Sequence, residues 1–562
     1  MQVSCCHRAR TQSRPGGSIV PPPGPLVFAP VRSVGMDPRL ARRAEEPIHA
    51  TPSTAASVDP ITAATDSAFR DDLERIRFSP YFSRLAAVTQ VISQGAAGGV
   101  VHNRLTHTIK VTAVARAIAT ALRSGPHRLL LEELGGCDRV VAQAAASAHD
   151  LGHPPFGHLG ERILDRIART TFGLADGFEG NAQTFRILTQ LGVHGRGGAQ
   201  GMSGLNLTAA VRAAVLKYPW ARVRYPVPHP SASEHPPRGG GGEADGTGSV
   251  KFSAYFLDVA EMRETLAAYP RILPWRQTVE CSVMDIADDI AYSLHDLDDF
   301  HRAGVLQHAS VAAEFRAWLR RRAEFDRSTH WVLAPSDRQP GVALEALRRR
   351  LRDRDGWIFD DDAFGVAVGR VATDVVDGLL AVPFDSSIAA ERAIGTFTES
   401  WISHLRASVE VDPDPPVRSG HVSLGRQAWH EVAVLKFVHQ RFVLDRPDLA
   451  MFQRGQAAAL TTLVSNLESW LTDPVDAARA PRRLLDLVEL ATSGYRRVLR
   501  EEPELLLDPA GEPPRTSGDL ARWGRGRGII DYVASLTDDR AGASARTLAG
   551  LTGQLWDAGS GL

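Results

Sequence analysis

Between Ser147 and Glu161 the chain reads SAHDLGHPPFGHLGE, which places three histidines, an aspartate and a glutamate within fifteen positions. Buried His and Asp groups are costly unless they are paired or hold a cation, and Pro154 with Pro155 must end the preceding helix. The polar set therefore gathers around a turn, with His149 and Asp150 at a helix end as candidate ligands. A lone His-Asp dipeptide is a weak signal, because most are exposed helix termini. Two further segments supply more ligands. In HNRLTHT, His107 lies at the start of a predicted helix and Arg104, three residues earlier, shares its face. Glu280 to Phe300, ECSVMDIADDIAYSLHDLDDF, carries six aspartates and no Lys or Arg. A solvated acidic helix normally interleaves basic residues at i+4, whereas here Asp288, Tyr292 and Asp296 form an uncompensated stripe opposite Val283, Ile286, Ile290 and Leu294. Uncompensated carboxylates call for a cation. His107, His149, Asp150 and Asp288 make a two-nitrogen, two-oxygen set that suits one divalent ion with open positions for water or a phosphate oxygen. Mn, Fe, Co, Ni and Zn fit that ligand type, while Mg prefers all-oxygen sites.

The elements that must hold these residues read almost wholly as helix. From about Asp59 onward apolar residues recur at three- and four-residue spacing, with very few alternating β-branched runs. Leu105, Ile109, Ala113, Ala117 and Leu122 predict a core stripe on a helix over Thr106 to Leu122. On the helix that begins after Gly157, His158 and Glu161 stand at i and i+3, where the carboxylate can orient the imidazole. The structural alternative for Glu161 is a helix cap. Trp429 to Val443 and Arg482 to Leu499 repeat the helical period. The run LRRRLRDR at 347–354, close to Asp355, Asp360 and Asp361, reads as a solvated helix face rather than a nucleic-acid patch. Prolines 226, 228, 230, 236 and 237 with the Gly239 to Gly242 run mark 222–250 as a flexible surface insertion. The expected organisation is all-α: a tail over 1–58 with Met36 as an alternative start, a catalytic core over 59–310, and an α-helical region over 311–562 packed on it.

Composition narrows the class further. With 64 basic against 65 acidic residues the net charge is -1, so no global field draws the chain toward nucleic acid or anionic membrane, and an anion site must be local. No apolar run approaches the ~20 residues that span a bilayer, and residues 1–35 lack the apolar core of a secretion signal. The four cysteines, Cys5, Cys6, Cys137 and Cys281, suggest neither a disulfide framework nor a metal knuckle. A soluble protein of the reducing cytoplasm is expected.

Taken in order, RLTHT, HDLGHPPFGHLGE, GFEGNAQTFRIL and ADDIAYSLHDLDD resemble the motifs of the deoxyguanosine-triphosphate triphosphohydrolase-like branch of the HD phosphohydrolases. RFSPYFSRLAAVTQV upstream and IIDYVASLTDD downstream extend the resemblance from about Asp71 to about Ala541. It implies an HD-domain helical core with an α-helical C-terminal extension, and metal-dependent hydrolysis of deoxynucleoside triphosphates to deoxynucleoside and tripolyphosphate. It makes His107, His149, Asp150 and Asp288 the metal ligands, with Mn or Mg as the ion in use, and His158 and Glu161 the catalytic pair. By the same carry-over Arg104 and Lys251 meet phosphate, His153 lies near the phosphates, Tyr292 and Asp296 face the deoxyribose and phosphate region, and Gln90 faces the sugar. A homo-oligomer is implied as well. The chain departs from many relatives at Gly180, where FEGNAQ has glycine in a position that often holds histidine. The rival readings are another HD-type nucleotide phosphohydrolase and a catalytically silent, nucleotide-binding regulatory HD protein.

Overall fold

Short polar caps start the helices that carry the site. The computed structural model describes residues 37–44, 60–91, 102–194, 203–222, 249–327, 339–416, 420–506 and 517–552. Apart from its ends, the expected insertion at 222–250 lies outside these, as does most of the expected tail. Asn103 accepts the Thr106 N–H at the head of α1 (Arg104–Ser124), and Asp138 accepts from Val140 and Val141 at the head of α2 (Arg139–Ala148). After the HDLGHPP turn come α3 (Gly157–Thr170) and α4 (Gly180–Arg186), the latter capped by Glu179. The long α5 (Val279–Arg302) is capped by Thr278, and α6 (Val342–Arg354) contains the basic run. The C-terminal part contributes α7 (Arg426–His439), α8 (Pro447–Thr472), α9 (Arg482–Glu501), α10 (Ser517–Ala534) and α11 (Asp538–Leu548). Among the described residues the named strands are two short ones, Val409–Val411 and Val422–Leu424, paired antiparallel. The fold is all-α, as the periodicity predicts.

Two apolar cores organise these helices. In the first, Val111, Ala115 and Ile118 of α1 pack with the small side chains of α2 and with Val283, Ile290 and Leu294 of α5, and the cluster runs on to Val434 and Leu435 of α7. Alanines at half the positions of α2 let its neighbours approach closely, and α5 is buried on nearly every side. The second core joins Ile163, Leu164 and Ile167 of α3 to Leu463 of α8, Leu484 of α9 and Ile529 and Val533 of α10. Each core draws on both sides of residue 310, and Pro38–Leu562 forms one compact unit. A buried charge network ties α10 to α4: Arg186 reaches Asp531 at 2.9 Å and Asp258 at 3.1 Å, and Arg527 pairs with Asp176 at 2.8 Å.

Three details differ from the sequence-based expectations. The buried face of α1 is Arg104, His107, Thr108, Val111, Ala115 and Ile118, whereas Ile109 is exposed. The expected stripe missed this face because functional polar residues occupy its first turn. Arg348 in the basic run is buried, not solvated, and pairs with Glu345 at 2.9 Å and Asp361 at 2.8 Å. Residues 38–44, inside the expected tail, are docked through ion pairs from Arg39 to Glu280, Arg42 to Asp72 and Arg43 to Glu261. Among the described residues no helix is long and apolar enough to cross a membrane.

Candidate active site

Three helices bring the predicted ligands together. His107 projects from the first turn of α1, His149 and Asp150 follow the last turn of α2, and Asp288 lies in the middle of α5. Ligand atoms of His107, His149 and Asp288 all fall within 4.8 Å of one another, close enough to share one ion. Asp288 Oδ1 is 3.1 Å from His107 Nε2 and 3.7 Å from His149 Nε2. His149 Nδ1 donates to the Ala146 carbonyl at 2.7 Å, which turns Nε2 inward, where it is buried without a hydrogen bond. A ring nitrogen fixed in this way, facing carboxylates, is the arrangement a divalent ion requires. Asp150 stands just outside that trio. Its Oδ1 lies 3.5 Å from His149 Nε2 and 2.9 Å from His153 Nδ1, and its Oδ2 accepts from Arg104 Nη1 at 2.9 Å. Burial opposes charge on His149, but Asp150 and Asp288 outweigh it and hold the imidazole up at about 9. A cation taking Nε2 must displace that proton. Burial also opposes charge on Asp288, yet Lys217, 3.3 Å away, and the two histidines keep it well below the usual carboxylate range.

A second group adjoins the first. His158 Nδ1 is 2.7 Å from Glu161 Oε2, so the i, i+3 geometry is met within the first turn of α3, and the His158 ring remains exposed. Glu161 is buried, and burial alone would neutralise it; Lys251, His153 and His158 instead hold it ionised. His153 has the opposite balance. Burial and the Arg104 charge outweigh Asp150 and Glu161 and push it down to about 4, leaving a neutral ring at neutral pH. Helix α4 braces this turn from behind, since Thr184 Oγ1 donates to the His149 carbonyl and accepts the Gly152 N–H. Gly180 lies directly behind the pair: a Cβ there would stand 2.3 Å from Glu161 Oε1.

The remaining predicted residues surround these groups. Arg104 is buried with Nε on the Thr89 carbonyl at 3.0 Å, and its Nη2 is buried without a hydrogen bond. The Gln90 Oε1 is likewise buried and unpartnered. Lys251 bonds Glu179 at 2.8 Å and lies 3.8 Å from Glu161. Along α5 beyond Asp288, the Tyr292 hydroxyl and Asp296 Oδ2 each lie 2.9 Å from Nδ1 of His439 on α7. Sequence reasoning missed His439 and also Lys217, which pairs with Asp285 at 2.7 Å as well as with Asp288. The scarcity of lysine, four in the whole chain, was the one available signal for Lys217.

Comparisons with known proteins identify the family. The HD domain family matches residues 104–193, the span from α1 through α4. A deoxyguanosinetriphosphate triphosphohydrolase-like protein of Streptomyces coelicolor is 31% identical over 498 residues, 87% of this chain and 93% of that protein. The chain belongs to the deoxyguanosinetriphosphate triphosphohydrolase-like family. Another such protein, of Shewanella sp. (strain MR-4), is 35% identical over 497 residues, 85% of this chain and 90% of its own length. One from Bifidobacterium longum is 37% identical over 257 residues, 45% of this chain and 46% of that protein. As a member of this family the chain is an HD-type phosphohydrolase, and its His/Asp cluster could bind the metal on which HD domains depend. Asp288, the third member of the group that could hold an ion, lies outside the matched HD span, on α5.

Proposed function

We propose that this chain hydrolyses deoxynucleoside triphosphates to the deoxynucleoside and intact tripolyphosphate, with His107, His149, Asp150 and Asp288 holding one divalent ion. The observation that carries the reading is the metal-ligand trio set beside an ionised-carboxylate–imidazole pair, with the unpartnered Nη2 of Arg104 buried nearby. A divalent ion bound there, Mn or Mg by family membership, supplies Lewis-acid polarisation at a phosphoryl oxygen.

The chain's own residues account for the rest. Arg104, fixed at two of its nitrogens, offers the third to a phosphate oxygen at no further cost of orientation. Neutral His153 borders the phosphate position, its one ring N–H directed to Asp150 Oδ1. Glu161 holds His158 by Nδ1, which leaves Nε2 to hand a proton to the departing 5′-oxygen as the P–O5′ bond breaks. The oxygen of water then ends on the α-phosphorus, and the proton it sheds replaces the one His158 gave. Gln90 with its unpartnered Oε1, and Tyr292 with Asp296, suit the hydroxyl and edge of a deoxyribose. Lys251 serves phosphate indirectly here, by keeping Glu161 ionised. Homo-oligomerisation, measurable by light scattering, and residence in the cytoplasm complete the reading.

Reaction in ¹⁸O-labelled water with each of the four deoxynucleoside triphosphates tests it. Label in tripolyphosphate and none in the nucleoside is the expected outcome. Nucleoside monophosphate or free phosphate as the first product would refute the assignment.

A further inference from the structure

The proposed reaction leaves one buried carboxylate near the site without a part. Asp538 opens α11, yet it points away from its own helix. One oxygen accepts the Thr89 N–H at 3.0 Å together with the Thr89 hydroxyl, and the other accepts the Phe156 N–H at 2.8 Å. These partners lie 449 and 382 residues away in sequence. Each sits next to a group the chemistry uses. The Thr89 carbonyl receives Nε of Arg104, and Gln90 follows directly. Phe156 immediately precedes Gly157 and His158 at the head of α3.

The turn at Phe156 also needs an external hold. Phe156 has φ 64°, in the left-handed region that a bulky side chain rarely adopts, and Gly157 follows at φ 57°. A non-glycine residue in that conformation is strained and persists only where the surroundings over-determine it. The bond from Phe156 N–H to Asp538 supplies such a constraint. The two segments that Asp538 joins are in contact as well, since a Cβ on Gly157 would stand 2.9 Å from Arg104 Nη2 and 3.1 Å from the Thr89 carbonyl. Arg84 closes the same junction from below, donating to the carbonyls of Leu536, Leu151 and His153.

We infer that Asp538 is a positioning residue for the hydrolysis: its carboxylate clamps the Thr89 and Phe156 backbones and so fixes Arg104 and His158 relative to each other. The inference rests on the proposed reading of the site, but it has a readout of its own. In Asp538→Asn the side chain keeps its shape and loses one acceptor oxygen, so one of the two segments must be released. The full-length protein and this variant are compared by amide hydrogen exchange over 84–91 and 150–158, by Mn binding calorimetry, by thermal unfolding, and by kcat and KM for the deoxynucleoside triphosphates. Faster exchange in at least one segment is expected, with Mn affinity and unfolding temperature held, KM within about threefold, and kcat lowered about 10- to 100-fold, the loss that misplacement by about 1 Å produces. Unchanged exchange in both segments overturns the clamp whatever the activity. So does a fall in unfolding temperature with kcat intact, which would make Asp538 a purely structural residue. If the unsubstituted protein hydrolyses none of the four nucleotides, the substrate reading fails, and the exchange comparison still decides the clamp. Should Asp538→Asn not fold, Thr89→Val removes only the hydroxyl bond to the same carboxylate and carries the same exchange and kinetic test.

Discussion

Gly180 offers the sharpest test of how the catalytic pair is held. A methyl added there would meet Glu161 Oε1 at 2.3 Å and Glu161 Cδ at 3.4 Å, while ordinary contact begins near 3.4 Å. The carboxylate must therefore retreat by about 1 Å. Glu161 is buried, and His158 at 2.7 Å and Lys251 at 3.8 Å hold it in place, so the retreat is taken from the His158 hydrogen bond. A misplacement of that size corresponds to a rate loss of about 100-fold. Stability should move the other way or not at all. Gly180 sits in the first turn of α4, its φ is not in the left-handed region, and replacing glycine at such a position typically stabilises a fold by about 0.4–1 kcal/mol. Gly180→Ala is thus expected to keep its unfolding temperature and its bound metal and to lose about 10- to 100-fold in kcat. The assay is turnover under saturating Mn beside differential scanning calorimetry. A kcat within twofold of the unsubstituted protein would show that His158 does not depend on the place of Glu161, and the account of the pair would fall. Gly180→His should be no more active, because its Cβ meets the same carboxylate.

Three further outcomes follow from the same geometry. His149→Ala and Asp288→Ala each remove a donor from a cluster of three, so both should lose stoichiometric metal and all hydrolysis while circular dichroism stays helical; full activity without metal would sink the ligand assignment. His158→Ala should keep the metal and lose about 10²- to 10⁴-fold in turnover, and a variant that also loses metal would move His158 into the coordination sphere. Arg39→Ala strips the 2.6 Å partner from buried Glu280, a loss of about 3–5 kcal/mol at neutral pH. Its sign with pH is fixed by burial, which raises the Glu280 carboxyl while Arg39 draws it back. Without Arg39 the folded carboxyl titrates higher still, the folded state binds the proton more readily than the unfolded one, and stability falls as pH rises through that window. The drop in unfolding temperature should accordingly be larger at pH 8 than at pH 5, and a deficit independent of pH would refute it.

How much of this was legible beforehand depends on how far apart in sequence the partners lie. His149 with Asp150, and His158 with Glu161, were readable because their geometry is local: a helix end and an i, i+3 step place them whatever the rest of the chain does. The acidic stripe on α5 pointed to Asp288, which does lie against the two histidines, through a premise that was only partly correct. Its carboxylates are largely partnered, but by groups from elsewhere: Lys217 for Asp285 and Asp288, Lys436 for Asp289 at 2.7 Å, and the His439 ring beside Asp296. An i+4 rule cannot see partners that approach from other helices, and so it cannot distinguish a carboxylate that is paired in space from one left for a metal. What sets Asp288 apart is that its second oxygen faces two histidine nitrogens at 3.1 and 3.7 Å while Lys217 holds the first. The core stripe of α1 failed for a related reason, because the polar Arg104 and His107 are buried there and an apolar pattern passes over them.

The same separation explains why the C-terminal half gave so little away. The HD match ends at residue 193, yet His439 and Lys436 reach α5 beside Asp296 and Asp289, and Asp538 reaches both Thr89 and Phe156. Those contacts are single side chains on otherwise ordinary amphipathic helices; IIDYVASLTDD contains Asp538, but the motif does not say which distant segments that carboxylate meets. The contacts place the C-terminal helices inside the construction of the site and not merely around it. A carboxylate fixing two backbone segments needs rigid support on its own side, and α11 receives it from the second apolar core, where Ala541 and Ala545 pack with Leu463 of α8. The packing of α8, α10 and α11 against α3 is therefore what gives Arg104 and His158 a common frame, and a substitution in that core should be read for its effect on turnover as well as on stability.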